Sequence, residues 1–160
     1  MKKLFLTMLV VLVSMSTMAQ DKKFGLGFNL LYGTKIENVG FGVKGQYYAS
    51  EAVRLEANAA YYMKKNDLKM WDINVVGHYL IPIVQSKLFV YPLAGVGVTN
   101  WSRGGAIESA FNNKAKFTIN LGGGLQYDVA EDFAVNAEVK YQIIDSYNQA
   151  VFAVGAAYKF

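Results

Sequence analysis

The chain has 160 residues, 53% of them hydrophobic, with 16 Lys and Arg against 12 Asp and Glu and no Cys. The lack of Cys excludes disulfides, thiol catalysis and Cys-based zinc sites. No basic run exceeds two residues, and without Lys2 and Lys3 the count is 14 basic against 12 acidic, so a nucleic-acid surface is not expected.

The N-terminus reads as an export signal. Lys2 and Lys3 precede an apolar run from Leu4 to Val13, broken only by Thr7. Ser14, Ser16, Thr17 and Ala19 then supply small residues near a cleavage point. This is a signal-peptide layout over 1–19, with the cut after Ala19 or Gln20. The run is too short to span a bilayer as a helix, and a retained N-terminal anchor is the alternative. The ending Met18-Ala19-Gln20 resembles signal peptides of Bacteroidota. The remainder, 21–160, suits one domain.

Beyond the leader, apolar and polar residues alternate with the period of a half-buried strand. The first segment, 23–32, sets Phe24, Leu26, Phe28, Leu30 and Tyr32 against Gly25, Gly27 and Asn29. The second, 38–48, sets Val39, Phe41, Val43 and Tyr47 against Gly40, Gly42, Lys44 and Gln46. The third, 52–63, sets Val53, Leu55, Ala57, Ala59 and Tyr61 against Arg54, Glu56 and Asn58. The fourth, 70–80, sets Trp71, Ile73, Val75 and Tyr79 against Asp72, Asn74, Val76 and His78.

The fifth segment, 87–99, is apolar on both faces, so its facing is ambiguous. Pro92 cannot donate a ladder hydrogen bond, which predicts a bulge or a distorted register there. The sixth, 116–127, sets Phe117, Ile119, Leu121, Leu125 and Tyr127 against Thr118, Asn120 and Gln126. The seventh, 133–142, sets Phe133, Val135, Ala137, Val139 and Tyr141 against Asn136, Glu138 and Lys140. The eighth ends the chain with Phe152, Val154, Ala156, Tyr158 and Phe160 on one face. Turns are expected at 49–51, 81–86 and 128–132 on one side. The connections at 33–37, 64–69, 100–115 and 143–149 fall on the other.

Alternation alone does not say which face points inward. A soluble barrel of the lipocalin kind buries its apolar face; a membrane barrel shows it to lipid. The non-apolar face here carries Gly, Ala, Asn, Gln and Thr more than Lys and Glu, which suits a narrow lumen. Aromatics gather at the segment ends: Tyr32, Tyr61, Trp71, Trp101 and Tyr141 at one end. Phe24, Tyr47, Tyr79, Tyr127, Phe133, Tyr158 and Phe160 gather at the other. Two such girdles match the two bilayer interfaces.

The leader, the eight segments and the terminal Tyr158-Lys159-Phe160, together with the hairpin Leu121–Gln142, resemble small outer-membrane β-barrels of the OmpA/OmpX type. The resemblance implies an all-β fold, an eight-stranded antiparallel up-and-down transmembrane β-barrel in the outer membrane of a Gram-negative cell. It implies outer-membrane lipid and lipopolysaccharide as surroundings, and a monomer. It also implies that barrel-assembly machinery reads Phe152, Val154, Ala156, Tyr158 and Phe160. Tyr32, Trp71, Trp101, Tyr127 and Tyr141 become interfacial aromatics.

The lumen then holds Lys44, Arg54 and Lys140 against Glu56, Asp72 and Glu138. A tight turn at 49–51 puts Lys44 roughly opposite Glu56. The balanced set reads as a plug of mutually paired charges, because eight strands leave a lumen that side chains fill. That favours a structural, non-catalytic role in the envelope. A narrow porin-like channel for water or small ions is the alternative, and a soluble periplasmic ligand-binding barrel the further one. His78 is the lone histidine, and no serine is placed to act with it as a nucleophile. Gly122-Gly123-Gly124 lacks the Lys-Ser/Thr of a phosphate loop. No cofactor, metal or catalytic residue is predicted. Lys64, Lys65, Lys69, Arg103 and Lys114 give the outer rim a basic bias that suits lipopolysaccharide phosphates or ordinary solvation.

Overall fold

A computed structural model describes residues 23–65, 68–84, 87–103, 115–145 and 148–160. The expected signal peptide and its cleavage point lie outside the described residues, as does most of the 100–115 connection. The strands are β1 (Phe24–Gly33), β2 (Asn38–Tyr48), β3 (Val53–Lys65), β4 (Leu68–Tyr79), β5 (Ile81–Val84), β6 (Leu88–Arg103), β7 (Ala115–Asp128), β8 (Phe133–Ile144) and β9 (Gln149–Lys159). Each pairs antiparallel with its neighbours, and β1 also pairs with β9. The β4–β6 pairing closes the sheet on itself. Because β4 and β5 both lie along β6, they form one wall strand interrupted at Leu80, and the barrel has eight staves.

The alternation has the inverted sense. Phe28, Leu30, Phe41, Val43, Ile73, Val75, Leu121, Leu125, Phe152 and Val154 are exposed on the outer wall. Asn29, Lys44, Arg54, Glu56, Asp72, Asn74, Asn120 and Gln142 are buried inside. A soluble barrel is stable only with the opposite arrangement, so the soluble ligand-binding reading is overturned. An apolar exterior is stable where the solvent is hydrocarbon, and closure leaves no strand edge unpaired there. Val75, near mid-height of its strand, is 54% exposed. Val75→Arg is therefore expected to destabilise the barrel by about 2–4 kcal/mol in lipid vesicles, measured by equilibrium urea unfolding.

The ambiguous fifth segment resolves with Tyr91, Leu93 and Thr99 inward and Ala94, Val96 and Val98 outward. Its ladder with β7 runs without a shift from Leu88↔Tyr127 to Asn100↔Ala115. The irregularity expected at Pro92 falls instead on the facing stave. Pairing there stops at His78↔Leu93 and resumes at Ile81↔Val90, with a further shift between Pro82 and Val84. The gap at Tyr79 and Leu80 faces Pro92 and Tyr91, so the proline's missing N–H meets no waiting acceptor in a regular ladder. The expected turn at 81–86 is also corrected, since Ile81–Val84 is strand. Ile81, Ile83 and Val84 are exposed apolar residues that prolong the outer band.

Two apolar clusters bracket the lumen. At the outer end, Ile36 from the turn 34–37 packs with Leu31, Tyr62, Met70 and Val151. Toward the periplasmic end, Val76, Leu80, Tyr91 and Leu93 pack together, with Tyr48 and Phe89 against them.

Candidate functional site

Among the described residues, the lumen is where the chain gathers ionisable side chains away from solvent. Period two carries polar residues of eight strands inward, and the register decides which of them meet. All six charges singled out from the sequence point there. Lys44, Arg54, Glu56, Asp72 and Lys140 are buried. Glu138 is nearly so, with 7% of its side chain exposed.

One pairing expected from the sequence is corrected. Lys44 stands opposite Asn58, while Glu56 stands opposite Gln46. Tyr48 pairs with Arg54, so five residues, 49–53, separate the two partners in place of the expected three. The register therefore slips by two positions, which keeps every side chain on its face and changes only its partner.

Carboxamides form an internal belt that alternation in the sequence does not identify. Gln149 Nε2 donates to Gln142 Oε1 at 2.7 Å, and Gln142 Nε2 donates to Asn120 Oδ1 at 3.2 Å. Asn120 Nδ2 donates to Asn74 Oδ1 at 2.9 Å, and Asn74 Nδ2 to Asn58 Oδ1 at 3.1 Å. Asn58 Nδ2 then donates to Glu56 Oε1 at 3.0 Å. Gln46 Nε2 donates to the other carboxylate oxygen of Glu56 at 2.8 Å. Asp72 terminates a branch, accepting from Asn74 at 2.7 Å and from Gln142 at 3.4 Å. The donors run in one direction from β9 around to β3, so each bond polarises the next toward Glu56. Asn74 reaches Asn120 across β6 because Gly97 lies between them; a Cβ there would sit 2.2 Å from Asn74 Oδ1.

An ionic and aromatic cluster fills the periplasmic half. Arg54 Nε donates to His78 Nδ1 at 2.9 Å, and Arg54 Nη1 donates to Gln126 Oε1. The guanidinium lies 5.0 Å from the ring centre of Tyr91, within cation–π range. Tyr91 spans from β6 over β7 to β8, where its hydroxyl donates to Glu138 Oε2 at 3.2 Å. Gly124 makes that crossing possible, since a Cβ there would sit 2.5 Å from the hydroxyl. Lys44 Nζ donates to Asn136 Oδ1 at 2.6 Å. At the mouth, Gln126 Nε2 donates to Asp128 Oδ1 at 2.7 Å, and Lys159 Nζ pairs with Asp128 Oδ2 at 2.6 Å.

No catalytic constellation emerges among the described residues. His78 Nε2 is 3.9 Å from Glu138 Oε2 and has no hydrogen-bond partner among them. The hydroxyl of Ser50 accepts from the N–H of Val53 in its own turn. Ser86, Ser109 and Ser146 lie outside the described residues, and Ser102 outside the described side chains. No group of three or more His, Asp or Glu among the described residues is placed to hold a metal ion.

Tyr32, Tyr61 and Tyr141 are exposed at the outer ends, and Tyr47, Tyr79, Tyr127 and Tyr158 at the periplasmic ends. Trp71 is half-buried, whereas Trp101 lies outside the described side chains, as do Lys64, Lys65, Lys69 and Arg103; Lys114 lies outside the described residues. On the terminal strand Phe152, Val154 and Tyr158 are exposed, and Phe160 is half-buried. Ala156 shares their face but is buried, because its methyl lies between its register partners Phe28 and Val135.

Residues 5–160 match the family model described as an outer membrane protein beta-barrel domain. The attachment invasion locus protein of Yersinia pseudotuberculosis is 23% identical over 134 residues, 84% of this chain and 71% of that protein. Neisserial surface protein A has a similar structure, with a TM-score of 0.72 at 14% identity over 86% of this chain and 97% of that one. The outer membrane enzyme PagL has a similar fold too, with a TM-score of 0.54 at 10% identity over 85% of this chain and 99% of that one. At such identities the structural likeness is one of fold alone.

Proposed function

The chain belongs to the outer membrane protein β-barrel family and resides in the outer membrane; from that premise we propose that its barrel is a closed structural element of the envelope, its lumen plugged and non-catalytic. The observation that carries this reading is the burial of the lumen's polar groups. Thr118, Asn120 and Gln142 are 0% exposed, and Arg54, Asp72 and Asn74 are 1% exposed. A group that touches no water-sized space lines no water-filled path. The cost of holding these charges in a narrow interior is offset by the hydrogen bonds and opposite charges around them. The apolar clusters at both ends of the polar belt add a second barrier to ions.

The non-catalytic reading rests on the same packing. His78 and Glu138 lie inside the barrel, beside Tyr91 and Arg54, with 1% and 7% of their side chains exposed. The signal peptide over 1–19, monomeric state, recognition of the Phe152–Phe160 strand by assembly machinery, and contact of the basic outer rim with lipopolysaccharide belong to this proposal. The family's compartment supports the signal peptide and the lipopolysaccharide contact, and the exposed aromatic face of β9 supports its recognition.

Planar-bilayer recording of the purified, refolded protein tests the plug. The expected result is no sustained single-channel conductance. Steady openings of uniform size would favour the narrow channel instead. The same preparation is expected to migrate differently on SDS gels with and without boiling, which establishes that the barrel in the recording is folded.

A further inference from the structure

The outer wall is not uniformly corrugated. Two neighbouring rows of outward side chains run across the strands in register. One goes from Pro92 on β6 through Gly123 to Tyr32 on β1. The other goes from Val90 through Ala137 to Leu30. Between them lies a groove of about 960 Å³, floored by the backbone of the intervening inward row. That volume is at the upper end of the ~300–1,000 Å³ of small-molecule sites. The depth has a local cause. Gly123 contributes no side chain and Ala137 only a methyl, while Leu125, Phe152 and Val154 stand up around them.

The groove also has a direction. It starts near the periplasmic beginning of β6 and ends at Tyr32, beside the outer turn 34–37. Four inter-strand steps of ~4.8 Å make it roughly 19 Å long, the reach of an extended long-chain acyl group. Its upper end carries an interfacial tyrosine, and Lys35 is exposed in the turn that follows. The rest of the wall on either side is the apolar band already in contact with the bilayer, so the groove is continuous with an interface that hydrocarbon covers.

We infer that this groove holds an acyl chain of a phosphorylated outer-leaflet glycolipid of the lipid A type, the chain lying between the two rows and the headgroup phosphate at the outer rim near Lys35. The inference deepens the contact with lipopolysaccharide within the proposed function and needs only the membrane orientation of the wall, whether or not the lumen conducts.

Native mass spectrometry of the folded barrel, mixed in detergent with purified lipid A, tests it. One lipid A is expected to stay bound per barrel at collision energies that remove detergent. Ala137→Leu fills the groove without disturbing the backbone and is expected to reduce the bound fraction at least tenfold. Lys35→Glu is expected to weaken lipid A binding to a smaller degree. A heat-dependent shift on SDS gels confirms that each variant is folded, and conductance recording reports separately on the plug. Equal retention by the wild-type protein and Ala137→Leu would overturn the inference. Equal retention of phosphatidylethanolamine, or a second copy of the chain in place of lipid, would overturn it too.

Discussion

Glu56→Ala is expected to destabilise the barrel by about 3–5 kcal/mol, the range for removing one partner of a buried charge pair. Glu56 is the acceptor on which the belt ends, taking Asn58 Nδ2 on one oxygen and Gln46 Nε2 on the other. Its carboxylate also lies within the field of Lys44, His78 and Arg54. Alanine leaves two buried amide donors without an acceptor and tips the six lumen charges to three cations against two anions. Glu56→Gln keeps the shape and one acceptor oxygen but turns its amide NH2 toward the other of the two donors. Its expected cost is smaller, about 1.5–3 kcal/mol, the worth of hydrogen bonds to a charged group. Equilibrium urea unfolding of the refolded barrel in lipid vesicles measures both. A cost under about 1 kcal/mol for Glu56→Ala would mean that the lumen rearranges or takes in water, contrary to a packed plug.

The contrast between what the sequence discloses and what it hides follows from the geometry of strands. Facing depends only on parity, and parity is visible wherever one face is apolar and the other polar. That is why alternation sets Phe28 and Val75 on one face and Arg54 and Asp72 on the other, and the small neutral residues of the polar face with the aromatic girdles then say which face turns inward. Partners depend on turn length. Two extra residues between the paired strand ends move Lys44 from Glu56 to Asn58 without changing its face. Where both faces are apolar, parity carries no signal, and the facing of Tyr91 stays open. Yet Tyr91 is among the largest fully buried side chains and ties Arg54 to Glu138. The carboxamide belt is half-legible. Asn58, Asn74 and Asn120 stand on the polar face of the alternating pattern, but the Asn74–Asn120 step crosses an intervening strand at Gly97, and sequence proximity does not report contacts across a lumen.

The glycines of the closing seam give the second large effect. Gly27 on β1 and Gly155 on β9 both face inward at the junction of the first and last strands. A Cβ on Gly27 would lie 2.2 Å from the carbonyl oxygen of Ala156. A Cβ on Gly155 would lie 2.5 Å from the carbonyl oxygen of Phe28 and 2.0 Å from Asn29 Oδ1. Backbone cannot swing aside as a side-chain tip does, so an added methyl forces the two strands apart. Gly27→Ala and Gly155→Ala are each expected to cost about 1–3 kcal/mol, as overpacking does, and Gly155→Val more. The strain falls on the pairing of the first and last strands, without which the sheet is not a closed barrel, so the larger substitution is expected to leave most of the protein in the unshifted, unfolded band on unheated SDS gels. Gly45→Ala supplies the comparison. It faces lipid, where the nearest atom to an added Cβ is Leu26 Cδ2 at 3.9 Å. There the methyl meets open space and lowers the conformational freedom of the unfolded chain, so a neutral or slightly stabilising effect is expected. If Gly27→Ala and Gly45→Ala unfolded at the same urea concentration, close approach at the seam would not be the reason for its glycines.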